Sequence, residues 1–91
     1  MLSKAIMNEE HNSQVSIFVG NLNIQCVEIN LHDAFSLYGT INNIRIMRSR
    51  KNISLGYGFV AMGSNQETQA AIEGLNGTVL LGRSLRLSIS L

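Results

Sequence analysis

Two short stretches, Ile17-Phe18-Val19-Gly20-Asn21-Leu22 and Leu55-Gly56-Tyr57-Gly58-Phe59-Val60-Ala61-Met62, change character with a period of two. Residues i and i+2 share a face of a β-strand, so this alternation writes two strands into the chain. By that parity Phe18 points away from Ile17 and Val19, while Tyr57 and Phe59 point away from Gly56, Gly58 and Val60. With the aliphatic face turned to the core, three aromatic rings stand on the solvent side. Aromatic rings ordinarily stabilise a fold by being buried. Three on one exposed face are accounted for if unpaired bases of a single-stranded nucleic acid stack on them.

Around these strands the chain divides into short elements. Positions 1–14 are polar and aperiodic and read as a flexible N-terminal arm; positions 15–91 read as one domain. A strand over Val15 to Val19 is followed by a helix from Val27 to Tyr38. Val27, Leu31, Ala34, Phe35 and Tyr38 form that helix's apolar stripe, and Gly39 closes it. A second strand, Ile41 to Met47, turns Ile44 and Ile46 inward and Asn43, Arg45 and Met47 outward. Arg48 to Ser54 reads as a basic loop before the third strand. Ser64 and Glu67 have the spacing of a capping box, opening a helix to Leu75 with Thr68, Ala71, Ile72 and Leu75 inward. Asn76-Gly77 marks a turn and Thr78 to Leu81 a hairpin-like piece. The last strand, Ser84 to Ile89, sends Leu85, Leu87 and Ile89 inward and Arg86, Ser88 and Ser90 outward.

The resulting order is βαββαβ, an α+β, ferredoxin-like arrangement: a four-stranded antiparallel sheet with two helices on one face and the other face open. The expected core comprises Ile17, Val19, Leu31, Phe35, Ile44, Ile46, Val60, Met62, Ile72, Leu75, Leu85 and Leu87. A register error of one residue would bury Phe59 and expose Val60.

The two aromatic stretches resemble the paired signature segments of the RNA recognition motif, and the resemblance runs from about Ser16 to Ile89. The first follows the family's aliphatic-aromatic-aliphatic-x-Asn-Leu pattern. The second follows basic-Gly-aromatic-Gly/Ala-aromatic-aliphatic-x-aromatic in its middle positions and departs at Leu55 and Met62. Met62 shares the face of Val60 and exchanges one core side chain for another. Leu55 falls on the Tyr57 face, where the family usually places a cation for a phosphate, so the departure implies weaker binding. The resemblance places the first and third strands at the centre of the sheet. The ending in Met62 and the stop just after the last strand resemble the small single-domain bacterial members. A cytoplasmic location is the corresponding expectation, or a nuclear one in a eukaryote.

The function expected is single-stranded RNA binding, with single-stranded DNA as the alternative polymer. Phe18, Tyr57 and Phe59 form the stacking platform. Asn43, Arg86 and Ser88 would reach base edges, and Arg45, Arg48, Arg50 and Lys51 would meet phosphates. Net charge is only +1, but the cations gather from Arg45 onward while the first half of the chain is mostly acidic. Double-stranded DNA suits a flat strand platform poorly, because stacked bases hide their faces. The alternative is a protein-interaction module of the same fold.

Other classes find little support. Cys26 stands alone, which excludes an internal disulfide and a paired-cysteine metal site. His11 and His32 are isolated, and no nucleophile with a base partner or phosphate-cradling loop occurs. No enzyme activity, metal, cofactor, small-molecule substrate or membrane span is expected, and the domain is expected to be a monomer.

Overall fold

A computed structural model describes residues 15–91; the N-terminal arm expected over 1–14 lies outside the described residues. Strand β1 is Ser16–Gly20 and helix α1 Glu28–Phe35, continued by one 3₁₀ turn, Ser36–Tyr38. Strands β2 (Ile41–Arg48) and β3 (Ser54–Met62) follow, then helix α2 (Asn65–Leu75). A small hairpin of β4 (Val79–Leu80) and β5 (Arg83–Ser84) precedes the last strand, β6 (Arg86–Ser90). The main sheet has the order β2-β3-β1-β6, antiparallel throughout, so the two aromatic strands are its centre. This is the ferredoxin-like βαββαβ fold.

The core lies between one sheet face and the two helices. Ile17, Val19 and Val60 are fully buried there, packed with Leu31 and Phe35 of α1 and Ala71 and Leu75 of α2. Ten of the expected core residues are buried, and only Ile44 and Ile72 sit half-buried at its rim. Val60 faces inward and Phe59 does not, so the register is the one expected. Cys26 is also buried, and that burial, with Glu28 nearby, pushes its thiol pKa up and leaves it a small apolar residue. Among the described residues no helix is long and apolar enough to cross a membrane.

Several local expectations change. Val27 is the N-cap of α1 rather than part of its apolar stripe, and is 44% exposed. The start lacks a Ser, Thr or Asp cap, but Asn30 Oδ1 accepts from the Val27 amide at 2.8 Å, which supplies half of a capping box. At α2 the converse half forms. Ser64 Oγ accepts from the Glu67 amide at 3.1 Å, while the Glu67 carboxylate lies over Gly39 and Gly63, with Oε1 unpaired among the described residues.

The last strand is also broken. Leu81 and Gly82 both have positive φ and close a two-residue turn, so Arg83 and Ser84 pair with β4 instead of β1. Ile89 pairs with Ile17 but remains 47% exposed. It lines a pocket with Asn65, Gln66 and Gln69 from the first turns of α2, whose polar side chains leave it open.

Candidate nucleic-acid interface

The strand pairing lays out the open face row by row. Arg45 lies opposite Phe59, Phe59 opposite Phe18, and Phe18 opposite Ser88, a line that crosses all four strands. In the next row Arg86 pairs with Gly20, which lies across from Tyr57 by continuation of the Val19–Gly58 pairing. On the other side of that line Asn43 pairs with Ala61 and Ser16 with Ser90.

The three rings touch. Their centroids are 5.8 Å apart for Phe18 and Tyr57, 5.9 Å for Phe18 and Phe59, and 6.1 Å for Tyr57 and Phe59. Phe59 meets both others edge-on, while Phe18 and Tyr57 are inclined at 32°. Such arrangements suit the ring quadrupoles. A Cβ on Gly20 would stand 2.7 Å from Cε2 of Phe18, so it is the bare backbone there that lets the ring lean along its strand. Each ring is half-buried, with part of its surface exposed on the open face.

The polar residues separate into two groups. Asn43, Arg45, Arg86 and Ser88 are exposed on the ring side, and Arg45 Nη2 lies 3.6 Å from Met47 Sδ on the same strand. Arg50 and Lys51 are exposed in the β2–β3 loop, whose turn is held by Ser49 Oγ accepting from the amides of Lys51 and Ile53.

Arg48 is not brought to this face. The strand runs one residue further than expected, so Arg48 shares parity with Ile46 and points to the helical side. There it forms a two-pronged ion pair with Glu28, at 2.7 Å to Oε2 and 3.1 Å to Oε1. Those hydrogen bonds hold the Glu28 carboxyl below its usual range and raise the Arg48 pKa.

Exchanging Arg45 and Arg48 singly for glutamine is therefore expected to separate them. Loss of one phosphate contact flattens the log affinity against log salt slope by about 0.7 for a single strand. Arg45→Gln is expected to show that change and Arg48→Gln to leave the slope as in the wild type. A titration with labelled RNA at two salt concentrations reads the difference; equal slopes for the two variants would contradict the assignment.

Two features beyond the expected residues frame one end of the platform. β3 is irregular against β2 between the Ile46–Gly58 and Arg48–Ser54 pairs, and Gly56 sits in that irregularity with φ +86°. The Leu22 amide donates to the Gly56 carbonyl at 2.9 Å, tying the β1–α1 loop to this point. Asn21 joins the β1–α1 loop to the β4–β5 hairpin. It has φ +61°, donates through Nδ2 to the Ser84 carbonyl at 2.7 Å, and accepts from Arg83 through Oδ1. No spacing rule in the sequence joins positions so far apart; only the count of cations in the second half of the chain marks Arg83.

Comparison with known proteins agrees with this geometry. The sequence model for the RNA recognition motif matches residues 17–86. The chain is 39% identical over 75 residues to the protein of Nostoc sp. named "Putative RNA-binding protein RbpB", covering 81% of this chain and 73% of that protein. The crystal structure of RNA binding protein PG1 superposes with a TM-score of 0.81 at 33% identity, covering 85% of this chain and 94% of the other. A Sxl-lethal protein/RNA complex superposes with a TM-score of 0.75 at 30% identity, covering 91% of this chain and 50% of that one.

Proposed function

This chain belongs to the RNA recognition motif family, and we propose that its open sheet face binds single-stranded RNA by stacking bases on Phe18, Tyr57 and Phe59. The observation that carries the proposal is the three-ring cluster, with centroids 5.8 to 6.1 Å apart, standing on the face that neither helix covers. A base stacked on an aromatic ring contributes roughly 1–3 kcal/mol with little dependence on its identity. Hydrogen bonds from Asn43, Ser88, Ser90 and Arg86 at the platform's margin supply the preference that stacking lacks. Arg45 on the sheet, with Arg50 and Lys51 in the loop, meets the phosphates and makes binding sensitive to salt.

Competition between strand states tests this reading. With a labelled single-stranded RNA bound, an unlabelled copy of the same strand is expected to displace it, and the corresponding duplex to displace it poorly. Bases in a duplex already stack on each other and present no free faces. Equal competition by strand and duplex would refute stacking as the mode of binding.

A protein partner is the second reading, and exposed apolar side chains on the helical side favour it. Ile29 is 60% exposed and Leu37 80%. A partner held there would be indifferent to removal of the rings, which separates the two readings.

A further inference from the structure

At the Tyr57 end of the platform the β1–α1 loop, the start of β3 and the β4–β5 hairpin enclose a groove. Its walls include Asn21, Asn23, Ile24, Leu55 and Arg83. Leu55 and Gly56 lead directly into Tyr57, and Asn21 follows Gly20, the residue across from Tyr57, so the groove continues the stacking face.

The groove holds one fixed cation. Arg83 Nε donates to the Asn21 carbonyl at 3.3 Å, and its Nη2 donates to Asn21 Oδ1. Both acceptors are neutral, so the guanidinium is oriented without losing its charge. Among the described residues no carboxylate forms an ion pair with it, in contrast to Arg48. A guanidinium carries five N–H donors, and the two on Nη1 and the second on Nη2 are not used by Asn21. A planar, pre-oriented fork of this kind fits two oxygens of a phosphate.

The groove is lined by neutral residues apart from Arg83, and Leu55 and Ile24 give it an apolar wall half or more exposed, at 52% and 65%. Asn21 and Asn23 hold the hairpin in place: Asn23 Nδ2 donates to the Leu81 carbonyl at 3.0 Å and its Oδ1 accepts from the Gln25 amide at 2.8 Å. Apolar surface beside a single cation matches a nucleotide, whose base presents an apolar face and whose phosphate is an anion.

We propose that Arg83 binds an RNA phosphate and that this groove receives the nucleotide next to the one stacked on Tyr57. Arg83 thereby supplies from the hairpin the cation that is absent where Leu55 stands. The proposal rests on the reading of the open face as an RNA platform, and extends the footprint beyond the sheet.

Two single-stranded RNAs test it, one of about four nucleotides that spans the rings and one of about eight that reaches past them. The wild type is expected to bind the longer RNA with a steeper salt dependence than the shorter. Arg83→Gln is expected to flatten that slope by about 0.7 for the longer RNA and to leave the shorter one unaffected. Arg83→Lys, which keeps the charge but not the fork, is expected to restore part of the slope.

A measurement on the unaltered protein guards against a folding defect in the variants. Its Arg83 Nε and Asn21 side-chain amide resonances are expected to shift with the longer RNA and to stay in place with the shorter. Binding of both RNAs with silent resonances at Arg83 and an unchanged slope in Arg83→Gln would overturn the role of Arg83 alone. Failure of the wild type to bind either RNA would overturn the platform as well.

Discussion

Replacing Tyr57 and Phe59 together by alanine is expected to weaken single-stranded RNA binding by roughly 2–6 kcal/mol, the sum for two stacked bases. The rings stand on the side of β3 away from the core, so their removal opens no cavity between sheet and helices. What the fold does lose is their contact with each other and with Phe18. Contacts of that kind contribute about 0.5–1.5 kcal/mol per pair beyond area. The double variant should therefore remain folded at lower stability while its affinity falls by orders of magnitude. An anisotropy titration alongside a thermal melt separates the two quantities. A folded double variant with wild-type affinity would refute stacking on Tyr57 and Phe59 as the mode of binding.

The second large effect is expected at Gly58, and it concerns stability. Gly58 pairs with Ile46 of β2 and Val19 of β1 and points to the core. A Cβ there would collide with the Arg45 carbonyl oxygen and stand 3.0 Å from the Ile46 Cα. Both obstacles are backbone, so no rotamer change relieves them. Gly58→Val is expected to cost at least the upper end of the about 1–3 kcal/mol usual for overpacking. In a domain of this size that corresponds to a fall in Tm on the order of 10 °C or more. Because the obstacle is the peptide that carries Arg45, relaxation would also displace that arginine from its place beside Phe59. A melting temperature equal to wild type would show that β2 can yield at this point.

The period-two signal made most of the sheet legible in the sequence. Parity alone distributes Ile17, Val19, Val60 and Leu87 to the core and Phe18, Tyr57, Phe59 and Arg86 to the other face, and each is placed so. Parity fails where a strand's end is misjudged by one residue. Arg48 belongs to β2 and not to the loop, which reverses its side and gives it to Glu28. It also says nothing about cover: Ile89 has the parity of Leu87, yet the polar first turns of α2 beside it leave it exposed. Capping patterns specify which partners are present but not which bonds form. Asn30 completes its bond to Val27, whereas the Glu67 carboxylate turns toward Gly39. The contact of Asn21 with Arg83 and Ser84 depends on the hairpin folding back over the β1–α1 loop, and that is a property of the tertiary structure.

The mutual contact of Phe18, Tyr57 and Phe59 has a kinetic consequence. Rings that already hold one another have little rotational freedom left to surrender when a ligand arrives. Encounter is then governed by diffusion and by the field of the cations around the platform, both of which are much the same for every RNA sequence of a given length. Among related complexes, affinity differences are carried mostly by the dissociation rate. RNAs that differ in sequence should therefore reach this platform at similar rates and be told apart by how long they remain on it.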